Sequence, residues 1–300
     1  MEPGSQESGF IRIRLRGIQY TKRGGSIVMT RVVMAGATGW VGKALVPAIL
    51  AQGDMQLVGA VARRAAGHDV GVATGSQPIG LAISGSVADA LNTPSDVLVD
   101  YTKPVAVRDH VMLAIARGRH VVIGTSGLRA ADYREINAAA RANGVGVVAA
   151  GNYSITATLM KKFALMAAQY VPDVEIIDYA SARKPDAPSG TALELAETLS
   201  EVRGAPTALP TSEVYGHPEA RGAMLGEGTA VQVHSLRLPS YQLSCEAVFG
   251  LPEERLVIRH DAGTSAVPYV AGTLLAIRRV REFTGLVRVL DALMDETLSV

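Results

Sequence analysis

A glycine-rich turn between a predicted strand and a predicted helix is the feature that most constrains the fold. Residues 31–35 are apolar and β-rich, residues 36–42 are Gly-Ala-Thr-Gly-Trp-Val-Gly, and residues 43–50 have a helical pattern. Early glycines permit a tight turn and close approach of a pyrophosphate to the helix N-terminus, while the last glycine lets helix and strand pack closely. The spacing, together with its place between strand and helix, predicts a dinucleotide site. The residues assigned to it are Gly36, Ala37, Thr38, Gly39, Trp40, Val41 and Gly42.

Two arginines follow the next predicted strand, residues 57–61. Arg63 and Arg64 lie about 20 residues past the last glycine of the turn, where a carboxylate would bind the ribose 2′-hydroxyl of NADH. Residues 62–64 contain no carboxylate, and a guanidinium suits a 2′-phosphate. We therefore expect NADPH to be preferred over NADH. The alternative is a solvated arginine pair at the end of a strand.

Polar turns follow three further predicted strands, at residues 96–101, 120–123 and 145–149. In open parallel sheets, ligands bind at the carboxyl ends of the strands, so these turns should line one crevice. Small polar residues there suit a nicotinamide and its ribose, although the same residue types populate ordinary turns. The predicted cofactor contacts in these turns are Thr102, Gly124, Thr125, Ser126, Gly151, Asn152 and Tyr153.

The second half of the chain has a different pattern. Strand-like segments at residues 174–179, 231–238, 242–249 and 255–260 include three that follow one another without a helix, which favours a mixed or antiparallel sheet. Helices are predicted at residues 156–170, 264–280 and 286–298. The fold class is therefore α/β, with a Rossmann-type parallel-sheet domain and a C-terminal α+β domain. We assign residues 29–153 plus about 263–300 to the dinucleotide-binding domain, and residues 154–262 to substrate binding and oligomerisation.

Residues 184–191, Lys-Pro-Asp-Ala-Pro-Ser-Gly-Thr, lie between a predicted strand and a predicted helix. Two prolines stiffen this turn, and free backbone N–H groups at the helix start can bind a carboxylate. Lys184 can add a positive charge or a proton. The segment therefore has the composition of an anion-binding loop, and the alternative is an ordinary turn with a Ser/Thr cap.

Composition excludes several classes of function. Lys plus Arg number 29 and Asp plus Glu 28, so no charge excess favours nucleic acid or an anionic membrane surface. No apolar stretch reaches the roughly 18 residues of a spanning helix. The single cysteine, Cys245, fits a reducing cytoplasm and is interpreted as a packed residue rather than a nucleophile. No metal site is expected.

The first 28 residues carry several arginines and lysines but no long apolar core before a cleavage site, which argues against a secretory signal. We expect residues 1–28 to form a disordered N-terminal extension. They are either a natural extension or sequence that precedes a true start at Met29.

Taken together, the motifs resemble the dihydrodipicolinate reductase family of lysine and diaminopimelate biosynthesis. The resemblance covers about residues 31–295, and the segment 184–192 is its most specific part. It implies a homotetramer assembled through the sheet of the second domain, and NAD(P)H as hydride donor to a cyclic, dicarboxylated imine. By position, Lys184 would be the cationic acid. The substrate carboxylate would be bound by Ser189, Gly190 and Thr191.

The chain departs from the family just before this lysine. A His-His pair is expected there, one histidine as proton donor and one as substrate contact, but the two positions hold Ala180 and Ser181. Alanine cannot transfer a proton, and losing a general acid typically costs about 10²–10⁴-fold in rate. The family segment R-x-G-x-x-x-G-x-H is also altered, over residues 237–245.

Three explanations remain open. In the first, the chain is a typical reductase of the family in which Lys184, Tyr179 or Arg183 replaces the polar functions of the two histidines. Alternatively, the chain is a divergent member that acts on another cyclic imine or on an α-imino or α-amino acid. The third is an NADPH-binding protein without catalysis, which the intact motifs disfavour. Further proton-donor candidates are His217, His234 and His260.

Overall fold

The computed structural model describes residues 29–294, so the predicted extension at residues 1–28 lies outside the described residues. The strands are β1 Thr30–Ala35, β2 Met55–Val61, β3 Val97–Asp100, β4 His120–Ile123, β5 Gly146–Val148, β6 Val174–Ala180, β7 Ala223–Leu225, β8 Val231–Arg237, β9 Leu243–Leu251, β10 Glu254–Ala262 and β11 Gly285–Val287. The helices are α1 Gly42–Leu50, α2 Val70–Ala73, α3 Val87–Ala90, α4 Pro104–Ala116, α5 Ala130–Ala142, α6 Ile155–Ala168, α7 Gly190–Val202 and α8 Pro268–Arg279.

The first sheet has the order β11-β5-β4-β3-β1-β2, and each of its strand pairs is parallel. Its central strands are apolar because they are buried on both faces. Along β1, Val32 and Met34 contact one hydrophobic cluster, while Val33 and Ala35 contact another on the opposite face. This doubly covered parallel sheet confirms the predicted Rossmann-type domain.

The second sheet has the order β10-β9-β6-β8-β7. β6 pairs parallel with β8 and antiparallel with β9, so the sheet is mixed, as predicted. Alternate residues of β6 point to opposite faces. Val174 and Ile176 are buried in the cluster that also contains residues of α6 and α7, whereas Glu175 and Ile177 lie on the open face.

One helix prediction is wrong. Over residues 286–298 the structure has β11 and a short 3₁₀ turn at Asp291–Leu293, with residues 295–298 outside the described part. Leu286 packs on one core of the first sheet and Val287 on the other, as expected for successive residues of a strand. β11 pairs with β5 and so forms the edge of the first sheet.

Two smaller differences concern loops. The helix predicted from residue 264 begins only at Pro268, the first position of α8, where proline is preferred because it needs no N–H acceptor. The segment 216–228, predicted as loop, contains the short edge strand β7. Within residues 29–294, no helix is long and apolar enough to cross a membrane, and no cluster of three or more metal-ligating side chains occurs.

Candidate functional site

A cleft of about 380 Å³ lies where the carboxyl ends of the first sheet meet the N-terminus of α7. It brings together residues predicted from both halves of the chain: Trp40, Val41, Gly124, Ser126, Gly151, Asn152, Tyr153, Lys184, Ser189, Gly190 and Thr191. Its lining also includes Tyr101, at the end of a strand predicted to lead into this crevice, and Asp186 of the segment 184–191. Three more lining residues lie outside the predicted binding set: Ala150, Leu243 and Tyr269. The residues predicted to bind the cofactor and those predicted to bind the substrate thus line the same cleft.

The turn before α1 has the geometry expected for a pyrophosphate. A Cβ at Gly36 would collide with the backbone of Tyr101, and one at Gly42 would collide with the Gly36 and Ala37 carbonyls. The first turn of α1 contains no acidic residue that would repel an anion at the helix N-terminus. The residues present therefore fit the phosphates of a dinucleotide.

Arg63 and Arg64 lie in a 3₁₀ turn, Arg63–Ala65, directly after β2. Both side chains are exposed. β2 is the neighbour of β1, so the arginines lie at the same sheet edge as the glycine-rich turn. They do not line the cleft itself.

The buried carboxylate of Asp100 organises the turn after β3. It accepts hydrogen bonds from the Thr102 hydroxyl at 2.7 Å and the Thr125 hydroxyl at 2.7 Å, and it also contacts His110 Nδ1 at 2.8 Å. Thr102 and Thr125, predicted as cofactor contacts, therefore direct their hydroxyls toward Asp100, and neither lines the cleft. Asp100 was not singled out from the sequence.

Two tyrosines form part of the cleft wall. Tyr101 lies so close to Gly124 that a Cβ on that glycine would overlap the ring. The Tyr101 hydroxyl donates to Thr273, whose own hydroxyl donates to the Tyr269 carbonyl. The Tyr153 hydroxyl donates to the Ile123 carbonyl at 2.8 Å. Burial raises the pKa of Tyr101 and of Tyr153, so both phenols stay protonated.

The substrate-side loop is held by a second buried carboxylate, Asp178. It accepts the Ser189 N–H at 2.8 Å and the Ser189 hydroxyl at 2.6 Å, and Arg237 donates to it at 2.7 Å. Arg237 also donates to the Asp186 carbonyl at 2.8 Å. The Ser189 hydroxyl is thus directed inward and caps α7. The first two residues of the helix, Gly190 and Thr191, line the cleft.

Lys184 lies at the wall of the cleft. Its Nζ is 2.7 Å from the nearer carboxylate oxygen of Asp186. The hydrogen bond from Lys184 is the main reason that the pKa of Asp186 lies below its usual range. Among the described residues that line the cleft, Lys184 carries the only cationic side chain.

The other candidate proton donors lie elsewhere. Tyr179 packs on the open face of the second sheet, with its ring 4.9 Å from that of Tyr241. Ala180, at one of the two expected histidine positions, is fully buried. Arg183 is exposed and does not line the cleft. His217 and His234 form pairs with Glu219 and Glu175, and His260 lies 3.5 Å from Ser154. Within residues 29–294, no histidine lines the cleft.

Comparisons with known proteins agree with this geometry. Residues 30–153 match the family description "Dihydrodipicolinate reductase, N-terminus", and residues 156–293 match "Dihydrodipicolinate reductase, C-terminus". The chain belongs to the dihydrodipicolinate reductase family. A 4-hydroxy-tetrahydrodipicolinate reductase of Desulfitobacterium hafniense is 40% identical over 271 residues, covering 88% of this chain and 98% of the relative. That of Moorella thermoacetica is 39% identical, covering 90% and 99%.

Solved structures show the same relationship. A dipicolinate-bound dihydrodipicolinate reductase from Paenisporosarcina sp. TG-14 superposes with a TM-score of 0.75 at 31% identity, covering 88% of this chain and 99% of that one. An amine dehydrogenase from Mycobacterium smegmatis, at 17% identity and a TM-score of 0.59, shares the fold. Membership of the dihydrodipicolinate reductase family makes this chain a pyridine-nucleotide-dependent reductase.

Proposed function

We propose that this chain reduces a small cyclic imine that carries carboxylates, with 4-hydroxy-tetrahydrodipicolinate as the first substrate to test. One observation carries the proposal: Lys184 and the first residues of α7, Gly190 and Thr191, line the same cleft of about 380 Å³ as residues of the predicted nicotinamide loops. A carboxylate bound at Gly190 and Thr191 brings the ring between these two walls.

Each wall has a separate task in this proposal. A bound reduced nicotinamide supplies the hydride. Gly190 and Thr191 bind one carboxylate through their backbone N–H groups and the Thr191 hydroxyl, and Lys184 supplies the positive charge. The hydride adds to carbon, and the Lys184 ammonium donates the proton that completes reduction of the C=N group or conjugated imine. Lys184 takes this role because Ala180 has no proton to transfer and the Ser181 hydroxyl is a poor acid at neutral pH.

NADPH is the preferred donor in this proposal. The support is that Arg63 and Arg64 are exposed at the carboxyl end of β2, beside the glycine-rich turn. A guanidinium binds a phosphate through paired hydrogen bonds, which a ribose hydroxyl cannot match. We also propose that the protein works in the cytoplasm, where its single cysteine stays reduced.

Assembly as a homotetramer through the open face of the second sheet is part of the same proposal. Met224, Leu236 and Val257 lie on this face and are 49%, 36% and 44% exposed. Exposed apolar side chains on one sheet face suit a contact between subunits. Analytical ultracentrifugation of the full chain tests it, since a monomer at micromolar concentration would contradict the proposal.

The second candidate function is reduction of a different imine. It is favoured by the cleft itself, which among the described residues has a single cationic side chain and no histidine for a second carboxylate. The assay compares NADPH oxidation with enzymatically generated 4-hydroxy-tetrahydrodipicolinate and with 1-piperideine-2-carboxylate, which has one carboxylate. Faster turnover of the dicarboxylate supports the first candidate, and faster turnover of the monocarboxylate supports the second. Binding of NADPH without oxidation of either ring would contradict both.

A further inference from the structure

A short ion pair joins the two helices that begin beside the cleft. Lys161 lies in the second turn of α6 and Glu194 in the second turn of α7, and Lys161 Nζ is 2.7 Å from Glu194 Oε1. The two side chains are 14% and 30% exposed. A pair that is largely withdrawn from water interacts more strongly than an exposed pair and holds a more definite geometry.

Glu194 also packs against the loop on the cofactor side. A Cβ placed on Gly151 would lie 2.5 Å from Glu194 Oε2, so a side chain there would collide with the carboxylate. At the next residue, Asn152 Nδ2 lies 3.4 Å from Thr191 Oγ1. The loop on the cofactor side and the first turns of α7 are thus in contact at two adjacent points.

We propose that Lys161 and Glu194 are positioning residues that couple the cofactor side of the cleft to its substrate side. Neither lines the cleft, and they act through Gly151, Asn152 and Thr191, which do. Lys161 holds the Glu194 carboxylate against Gly151, and this contact fixes the separation between the loop and the start of α7.

This separation matters because hydride transfer requires reacting atoms about 3–3.5 Å apart, and a misplacement of about 1 Å can cost on the order of 100-fold in rate. The inference rests on the proposed function, since it takes the nicotinamide to lie at residues 151–153 and the carboxylate at residues 190–191. The consequence is measurable without turnover. Binding of the cofactor should order the loop at residues 151–153. Through Glu194, it should also order the first turn of α7, where the carboxylate binds.

The test measures the affinity of the full chain for dipicolinate by calorimetry, without NADPH and with saturating NADPH. The variants are E194Q and K161M. The control is E135Q, which breaks an equally short pair, Arg108–Glu135 at 2.7 Å, where both side chains are 44% exposed. In the wild type and in E135Q, we expect NADPH to tighten dipicolinate binding at least about fivefold. In E194Q and K161M, the same ratio should fall below about twofold.

A coupling ratio that is the same in the wild type and in both variants would overturn the inference, as would a wild type in which NADPH has no effect on dipicolinate binding. A merely structural ion pair lowers the midpoint of thermal unfolding and leaves the ratio unchanged. If neither single variant folds, the double variant K161M/E194L replaces the pair with apolar side chains and carries the same measurement. Failure of the proposed function is distinct: the coupling persists, but no imine is reduced.

Discussion

The guanidinium of Arg237 donates a hydrogen bond to the carboxylate of Asp178 at 2.7 Å, and that carboxylate has no exposed surface. The same carboxylate accepts two hydrogen bonds from Ser189, the residue that caps α7. The buried Asp178 carboxylate therefore holds the loop that is proposed to bind the substrate, and Arg237 supplies the positive charge that pairs with this carboxylate.

Replacing this arginine should destabilise the fold. R237M leaves the Asp178 carboxylate buried without its cation, and breaking a buried pair in this way costs about 3–5 kcal/mol. Urea unfolding of the variant measures the loss. The control is R129M, because the Arg129 side chain is 83% exposed and water weakens its pair with Asp132. If R237M were as stable as R129M, the account of the loop would be wrong.

Lys184 is predicted to donate the proton. K184M should lower kcat by about 10²–10⁴-fold, as is typical when a general acid is lost, while NADPH binding stays unchanged. K184R keeps the positive charge, so its KM should stay close to that of the wild type. Its kcat should fall, because a guanidinium does not readily release a proton. Steady-state kinetics on the three proteins makes the comparison. An unchanged kcat in K184M would mean that the proton comes from another group.

The proposed cofactor side can be defined from the sequence, because its determinants are local. The glycine-rich turn, Arg63 and the turns that end β3, β4 and β5 are each defined by a few consecutive residues. Asp178 and Arg237 could not be found in this way, since they are 59 residues apart and meet only through the register of β6 with β8.

Tertiary contacts, which a sequence does not show, determine two further features of the structure. Thr102, Thr125 and Ser189 are polar residues at the predicted places, but buried carboxylates already use their hydroxyls, and a sequence does not show which way a hydroxyl points. The segment that starts at residue 286 has helical composition, yet its pairing with β5 makes it a strand. Tertiary contacts decided each of these cases.

Cofactor choice is predicted to depend on Arg63. R63A should weaken NADPH binding about 10–100-fold, since a hydrogen bond to a charged group contributes about 1.5–3 kcal/mol, and it should leave NADH binding almost unchanged. Fluorescence titration with each nucleotide measures both affinities. R134A, which removes an exposed arginine of α5, should change neither. Equal weakening of NADPH and NADH in R63A would refute the assignment.

The ion pair between Asp54 and Arg278 should make the stability of the fold depend on pH. Its carboxylate lies 2.7 Å from Arg278, and the hydrogen bond from this arginine is the main reason that its pKa is lowered. A lowered pKa in the folded state means a stabilising contribution that is fully present above the ordinary value of about 4 and is lost as the pH falls through the folded value.

D54N should therefore unfold at a lower temperature than the wild type from pH 8 down to about pH 5, by an amount that corresponds to about 1 kcal/mol. Below about pH 4 the two melting curves should converge. Differential scanning calorimetry across this range makes the measurement. A difference that stays constant down to pH 2 would show that Asp54 does not contribute through its charge.

The most direct measurement follows the hydride itself. NADPH deuterated at the transferred C4 position is incubated with the protein and enzymatically generated 4-hydroxy-tetrahydrodipicolinate, and the product is analysed by mass spectrometry. We predict a product with one added deuterium, formed at the rate at which NADPH is consumed, and formed about 10²–10⁴-fold more slowly in K184M. A protein that binds NADPH yet yields no deuterated product from this ring would contradict the proposed substrate.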